Sequence, residues 1–294
     1  NQAGGEASHE PDCTMASVDK RRMCPHCRAF ITTDDRVCPY CNSPVGPRAI
    51  DRRQPADIMG GLIPQARFTT TLLLLINGGL YVAMMIYSSK SGRGGIQGLD
   101  GYTLVNFGAM YPPLIQAGQW WRLITAGFLH GGIMHILMNS WVLFDLGAQT
   151  EEFFGTSRML FIYFMSTVVG FWASAHFAHL SVGASAGIFG LIGAMIAFGV
   201  KERSSYGSAL RSFYMRWAMY GLVLGFIVPN IDMAAHIGGL AAGFGAGFVA
   251  GTPRIASRTE RVWQGIAALC VIITVLAFLN MFMGLARVVS QPGF

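Results

Sequence analysis

The sequence predicts an all-α polytopic membrane protein with a small polar domain at its N-terminus. Of its 294 residues, 52% are hydrophobic and 12% are charged, whereas soluble domains carry about 25% charged residues. Residues 1–67 hold 9 of the 21 Lys and Arg, 8 of the 15 Asp and Glu, and five of the six cysteines. The rest of the chain is an apolar body. This composition argues against a water-soluble enzyme and against a disordered chain.

The polar N-terminal region divides into three parts. Met15 opens a run that reads as a natural start, so we interpret residues 1–14 as a non-native or processed leader. Residues 15–45 form a cysteine-rich head. Residues 46–67, which are rich in Pro and Arg, form a linker.

The head contains two C-x-x-C motifs, Cys24 with Cys27 and Cys38 with Cys41, separated by ten residues. Each motif places two thiolates on one side of a tight turn, and the two together complete a tetrahedral four-sulfur site that suits zinc. The pattern resembles a zinc ribbon, which implies a structural or adaptor role and leaves the head's partner unspecified. A pair of disulfides is the alternative, and it requires an oxidising compartment.

The apolar body contains seven segments that are long enough to cross a bilayer, for which about 20 mostly apolar residues are needed. They cover residues 69–88, 130–149, 159–178, 182–200, 212–229, 233–251 and 262–283. Six of them form a core over residues 68–251. Residues 252–294 supply a seventh span and a C-terminal tail. The long connection at 89–129 carries adjacent tryptophans at 120 and 121, which suit an interfacial structure.

The basic residues predict the orientation, because Lys and Arg collect in cytoplasmic loops. With the N-terminus in the cytoplasm, the inner segments hold 17 of the 21 basic residues and the outer segments hold 4. We therefore expect a bacterial inner (cytoplasmic) membrane, with the C-terminus outside. The thiols then lie in a reducing compartment, which favours zinc over disulfides. Because the basic residues flank spans, we expect contact with the lipid bilayer and no binding of nucleic acid.

Polar residues near the outer ends of three spans form a candidate active site. The second span carries His135 and Asn139, which are four residues apart and share one helix face. The fourth span carries Ser185 in a Gly-Ala-Ser-Ala-Gly sequence, and the sixth carries His236. Each lies about one turn inside the outer end, so all four can occupy one layer. Polar residues at this depth are costly and are functional candidates.

Helix packing can bring these residues together. Glycines recur every four residues from Gly239 onward in the sixth span, a spacing that lets helices approach closely in lipid. Contact with the fourth span would place Ser185 beside His236, a base able to activate it. His135 and Asn139 are suitable donors to an oxyanion. Each feature alone also has a structural reading, because small residues and Asn pack helices and a lone His can be a hydrogen-bonding or proton-relay group.

Two acidic residues accompany this layer. Asp232 stands four residues before His236, and we expect it to cap the sixth helix; a third catalytic member is the alternative. Asp145 lies inside the second span. For this carboxylate we expect a partner across the bundle.

Five motifs, in order, resemble the rhomboid family of intramembrane serine proteases over roughly residues 69–251. They are Trp121-Arg122, His130 with His135 and Asn139, Leu146-Gly147 with Glu151 and Gly155, Gly183-Ala184-Ser185-Ala186-Gly187, and Ala235-His236 with Gly239 and Gly243. The resemblance implies a six-helix bundle plus one span. It also implies hydrolysis of peptide bonds in or near transmembrane segments of protein substrates, without a catalytic cofactor.

The same resemblance assigns roles. Ser185 is the implied nucleophile, His236 the general base, and His135 with Asn139 the oxyanion donors, acting through an acyl-enzyme. Phe189 stands where some members carry Tyr. Three other functions remain open. They are an inactive rhomboid-like protein that binds membrane clients, a transporter, which would show inverted repeats or midplane charges, and a zinc-ribbon adaptor anchored by the membrane body.

Overall fold

The computed structural model describes residues 21–24, 26–32, 35–45, 68–92, 98–177, 180–252 and 258–289. The predicted leader at 1–14 and linker at 46–67 lie outside these residues. The chain forms two compact units divided after Gln65.

The N-terminal unit contains a small antiparallel hairpin. Strand β1 (Arg21–Met23) pairs with β2 (Phe30–Thr32). Its buried core consists of Cys24, Ile31, Cys38 and Val45. So small a core does not stabilise a domain by itself, and natural domains of this size add disulfides or a metal ion.

The second unit is helical throughout its regular elements. They are α1 (Phe68–Lys90), α2 (Gly101–Asn106), α3 (Pro112–Gln116), α4 (Arg122–Thr125), α5 (Ile133–Ser174), α6 (Ser185–Lys201), α7 (Ser205–Ile227), α8 (Met233–Ala250) and α9 (Arg258–Val289). The seven predicted spans fall on the long helices, with the second and third both in α5, and their ends differ by up to seven residues, the largest difference being at the start of α7. The prediction of an all-α architecture is confirmed.

Four helices in the described part of the chain are long and apolar enough to cross a membrane. They are α1, α5, α8 and the Thr259–Ala286 part of α9. Helix α6 is also apolar, but its 17 residues make it shorter than these four helices. Helix α7 has 23 residues and carries Arg211 and Arg216 in its first half. The protein is therefore an integral, polytopic membrane protein.

The second and third predicted spans form one 42-residue helical run that is interrupted at Gly155. The φ and ψ angles of Gly155 are 73° and 161°, a conformation open to glycine and strained for other residues. The chain reverses at this point. His135, near the start of α5, lies beside Gly183, and Ser174 at its end donates to Asp232. The two halves of α5, residues 133–154 and 156–174, are therefore antiparallel.

Helices α6 and α8 are parallel, and their backbones are in direct contact. A Cβ added to Gly239 would stand 2.2 Å from the carbonyl oxygen of Ala186, and one added to Gly243 would stand 2.0 Å from that of Gly190. Each contact advances by four residues in both helices. The glycine spacing therefore serves the close approach that the sequence predicted.

Hydrogen bonds and an ion pair made by charged side chains connect α1 and α9 to α5 at the end of the bundle where α5 reverses. The carboxylate of Glu151 accepts hydrogen bonds from the backbone N–H groups of Thr69 (3.1 Å) and Thr70 (3.3 Å). Arg158 donates to both carboxylate oxygens of Glu260, at 2.7 Å each. The side chain of Arg158 is 3% exposed and that of Glu260 is 24% exposed. We call the end of the bundle where α5 reverses the opposite end. We call the other end, which holds the first residues of α6 and α8, the site end.

The connection between α1 and α5 is a packed structure built around Arg122. This side chain is buried and donates to the carbonyl oxygens of Val105 (2.7 Å) and Ala109 (3.0 Å) and to the amide oxygen of Gln119 (2.7 Å). Its guanidinium carbon lies 4.6 Å from the centre of the Trp121 ring. Burial lowers the pKa of Arg122 to about 10. The predicted interfacial segment thus includes a buried cation held by main-chain carbonyls.

Candidate active site and four-cysteine site

The hydroxyl of Ser185 stands at the first residue of α6, beside the imidazole of His135. Gly183 lies between them, and its φ of +136° is a backbone conformation that residues other than glycine rarely adopt. A Cβ on Gly183 would lie 2.7 Å from Nε2 of His135 and 3.5 Å from Oγ of Ser185. Both polar atoms therefore face the same small space, which glycine keeps open.

His236, the fourth residue of α8, packs against the same face of α6. Its ring stacks on that of Phe189, with centroids 4.2 Å apart and planes inclined by 17°. Phe189 follows Ser185 by four residues, so the two side chains share a helix face. The imidazole of His236 is buried, and its Nδ1 has no hydrogen-bond partner in the described residues. The structure thus places this imidazole on the face of α6 that carries the hydroxyl.

Asp232 is the N-cap of α8. One carboxylate oxygen accepts a hydrogen bond from the backbone N–H of Ala235 at 3.0 Å, and the other accepts from the hydroxyl of Ser174. This is the capping role expected from the sequence. The arrangement fits a Ser-His pair better than a triad.

His135 and Asn139 share one face of α5 at the site end. Nδ1 of His135 accepts from the backbone N–H of Gly131 at 3.5 Å, an assignment that leaves the proton on Nε2, the atom nearest Gly183. The amide nitrogen of Asn139 donates to the carbonyl oxygen of His135 at 2.9 Å. Its second N–H remains available to another acceptor. Nε2 of His135 can therefore donate toward this space, and Asn139 carries a further N–H donor on the same helix face.

A further imidazole lies behind His135. The ring of His130 packs edge-on against it, with centroids 5.0 Å apart. His130 is fully buried, and neither of its ring nitrogens has a hydrogen-bond partner within the described ranges. The sequence showed His130 only as part of a motif and did not reveal this contact.

Comparison with known proteins identifies the domain that carries this geometry. Residues 117–253 match the family model described as the Rhomboid domain. The chain carries a rhomboid domain. The resemblance predicted from the five motifs is therefore confirmed, and the matched range contains all four candidate catalytic residues.

Three curated relatives illustrate the similarity. The rhomboid protease GluP of Bacillus subtilis is 36% identical over 165 residues, which cover 56% of this chain and 32% of the relative. RHOMBOID-like protein 6, mitochondrial, of Arabidopsis thaliana is 40% identical over 153 residues, covering 50% and 49%. Rhomboid-like protease 2 of Toxoplasma gondii is 36% identical over 156 residues, covering 49% and 53%. The matched part of the chain thus spans about a third to a half of the length of these relatives.

Asp145 of the rhomboid domain has no direct partner across the bundle in the described residues, which differs from the sequence expectation. Its carboxylate accepts from the side-chain amide of Gln149 at 3.0 Å, one turn along the same helix. Gln149 in turn accepts from the hydroxyl of Tyr214 in α7 at 2.7 Å. The link across the bundle is therefore indirect, because an amide connects the acid to the tyrosine.

The four cysteines of the head converge as predicted. Their sulfur atoms all lie within 4.8 Å of one another. The sulfurs of Cys24 and Cys41 are 3.7 Å apart, as are those of Cys27 and Cys38. An ion with sulfur at about 2.3 Å in tetrahedral geometry separates its ligands by about 3.8 Å, whereas a disulfide requires about 2.05 Å. This site can hold a metal ion, and its spacing does not fit disulfides.

Hydrogen bonding also favours the thiolate at Cys24 and Cys41. Hydrogen bonds from Ser43 lower the pKa of Cys41 to about 6, whereas burial and the neighbouring thiols raise the pKa of Cys27. The backbone N–H of His26 donates to the sulfur of Cys24 at 3.4 Å. A metal ion binds the deprotonated sulfur, so both contacts suit a metal site.

Proposed function

We propose that this protein is an intramembrane serine protease that hydrolyses peptide bonds in or near transmembrane segments of other membrane proteins. The supporting observation is the convergence of Ser185, His236 and His135 from three helices at one end of a membrane bundle. A serine hydroxyl beside an imidazole is the minimum set for nucleophilic acyl transfer. The match to the Rhomboid domain and the similarity to rhomboid proteases support the same activity.

In the proposed mechanism, His236 removes the proton from Oγ of Ser185 as that oxygen attacks the scissile carbonyl carbon. The carbonyl oxygen becomes negatively charged, and His135, Asn139 and the backbone N–H of Ser185 donate hydrogen bonds to it. The carbon–nitrogen bond then breaks, and His236 gives its proton to the leaving amine. A water molecule, deprotonated by His236, attacks the resulting ester and restores the serine.

The depth of the site determines which bonds can be cut. Ser185 and His236 lie in the first turn of their helices, so water can reach them from the site end while the rest of the bundle stays in lipid. A fully hydrogen-bonded helix shields its carbonyl groups. We therefore expect substrates with small or helix-breaking residues near the cut. From the distribution of basic residues, we propose that the N-terminus is cytoplasmic and the site end faces outward, as in a bacterial inner membrane.

The decisive experiment is cleavage of a single-span substrate in liposomes by the wild type, Ser185→Ala and His236→Ala. We expect activity in the wild type alone, with a cut near the outer boundary of the substrate's span. Activity that persists in Ser185→Ala would contradict the assignment of the nucleophile. Substrate binding without cleavage by any of the three proteins would favour the client-binding alternative.

We also propose that Cys24, Cys27, Cys38 and Cys41 hold one structural zinc ion. Four thiolates close the coordination sphere, so the ion would stabilise the head without taking part in hydrolysis. Metal analysis of reduced full-length protein should find about one zinc per chain, and Cys38→Ser should lower that content, with Cys270→Ser as a matched control outside the cluster. Protein purified under reducing conditions and free of metal would contradict this proposal.

A further inference from the structure

The carboxylate of Asp145 occupies an unusual place for a membrane helix. It lies in the middle of the first half of α5, and its side chain is exposed. Because α5 is apolar enough to span a membrane, this surface faces lipid or a bound membrane segment. One oxygen accepts from the neutral amide of Gln149, and the other has no hydrogen-bond partner in the described residues. Placing a carboxylate at this depth of a membrane costs free energy, so Asp145 is a candidate for a functional role.

Asp145 lies in a groove between α5 and α7. The groove is a cavity of about 160 Å³, and its lining includes Trp141 from α5 and Phe213 and Trp217 from α7. At the side nearer the opposite end, the hydrogen bond from Tyr214 to Gln149 joins the two helices. A carboxylate among aromatic rings is a suitable environment for a cation, because ring faces and the acid both attract positive charge.

The groove lies on the same helix faces as the proposed active site but further toward the opposite end, and none of the four candidate catalytic residues lines it. Ile192, which lines it, follows Ser185 by seven residues in α6. Val142 and Leu146, which line its other wall, follow Asn139 by three and seven residues in α5. These spacings keep each set on one helix face. At 1.5 Å per residue, the groove therefore begins about 10 Å below the serine, toward the opposite end.

We propose that the groove at Asp145 recognises a Lys or Arg side chain in the membrane segment of the substrate. A substrate helix whose scissile bond is at Ser185 would present this residue about seven positions further into the membrane. The proposal rests on the proposed protease activity. It makes Asp145 a specificity-determining residue. Basic residues at this depth of a span are rare, so the contact would be selective.

The test compares single-span substrates that carry Lys, Leu or Glu at one position, scanned from five to ten residues inside the cut. We expect the wild type to cleave the best Lys substrate with a kcat/KM about tenfold above that of the matched Glu substrate, a ratio typical of one favourable charge contact. Asp145→Asn should remove this ratio, and Asp145→Lys should reverse it. Glu202→Gln removes a carboxylate beyond the end of α6 and should keep it. A Lys-to-Glu ratio that is the same in all four proteins would overturn the proposal.

A binding measurement separates this proposal from the protease activity itself. Photocrosslinking of the same peptides to Ser185→Ala requires no hydrolysis, and we expect crosslinks to α5 or α7 that favour Lys and depend on Asp145. If the wild type cleaves nothing but this preference persists, the protease proposal fails and the groove remains a client site. Cleavage without a preference for Lys over Glu would overturn the proposed role of the groove and leave the protease proposal standing. Asp145-dependent crosslinking to an ammonium lipid headgroup in place of the peptide would also overturn the proposed role of the groove.

Discussion

The backbone contact between Gly239 and Ala186 should control catalysis, because these residues adjoin the two proposed catalytic groups. Ala186 follows Ser185 directly, and Gly239 lies three residues beyond His236. In Gly239→Ala, the new Cβ would stand 2.2 Å from the carbonyl oxygen of Ala186, whereas ordinary contacts begin at 3.4 Å. The obstructing atom belongs to the backbone, so α6 and α8 must separate by roughly 1 Å. A misplacement of about 1 Å costs about 100-fold in rate, or about 2.7 kcal/mol in activation free energy.

The assay is cleavage of a single-span substrate in liposomes, with thermal unfolding measured on the same preparations. We expect kcat/KM of Gly239→Ala to fall about 100-fold. Gly245→Ala is the matched control, because it makes the same change in the same helix where a Cβ would meet nothing within 4 Å. Its activity should stay close to that of the wild type.

The expected loss in Gly239→Ala is opposite in sign to the usual effect of replacing a helical glycine with alanine. In a helix without close neighbours, replacing glycine with alanine is favourable by about 1 kcal/mol, so any loss in Gly239→Ala must come from the contact with α6. Wild-type activity and stability in Gly239→Ala would refute the argument that this contact sets the distance between Ser185 and His236. Equal losses in Gly239→Ala and Gly245→Ala would refute it as well.

Three further predictions concern the residues around the site and at the opposite end. Asp232→Ala should reduce the free energy of unfolding by about 1 kcal/mol through loss of the helix cap, while Asp232→Asn keeps most of it; equal melting temperatures for both variants would contradict this role. Glu260→Ala leaves the buried guanidinium of Arg158 without its carboxylate partner, while its bond to the carbonyl oxygen of Ala250 remains, and should reduce the free energy of unfolding by about 2 kcal/mol; unfolding at the wild-type denaturant midpoint would count against it. Gly183→Ala should lower kcat/KM at least about tenfold, because a Cβ there meets His135 and the backbone is strained; an unchanged rate in the cleavage assay would exclude that clash.

Much of the molecule could be predicted from the sequence because the governing signals are local. A run of about 20 apolar residues must form a helix in a bilayer, since every backbone polar group needs an internal partner. The long helices therefore coincide with the predicted spans. The two C-x-x-C motifs similarly predicted the convergence of four sulfurs, because each tight turn already places two of them together.

Other features depend on contacts between distant segments. The predicted second and third spans are one helical run that reverses at Gly155, and the sequence alone does not show that the interruption is a single residue. The stacking of His236 on Phe189 and the pairing of Arg158 with Glu260 join residues far apart in the chain.

The sequence by itself determined the helices, their apolar character and the residue types available for chemistry. The tertiary structure decided which helix faces meet. Glycines allow α6 and α8 to approach until backbone touches backbone, and this contact brings Ser185 and His236, 51 positions apart, onto one surface. It also left the carboxylate of Asp145 in a groove beside the aromatic rings of α7. Local patterns specify helices, but the fit of side chains between helices selects the arrangement in which they pack.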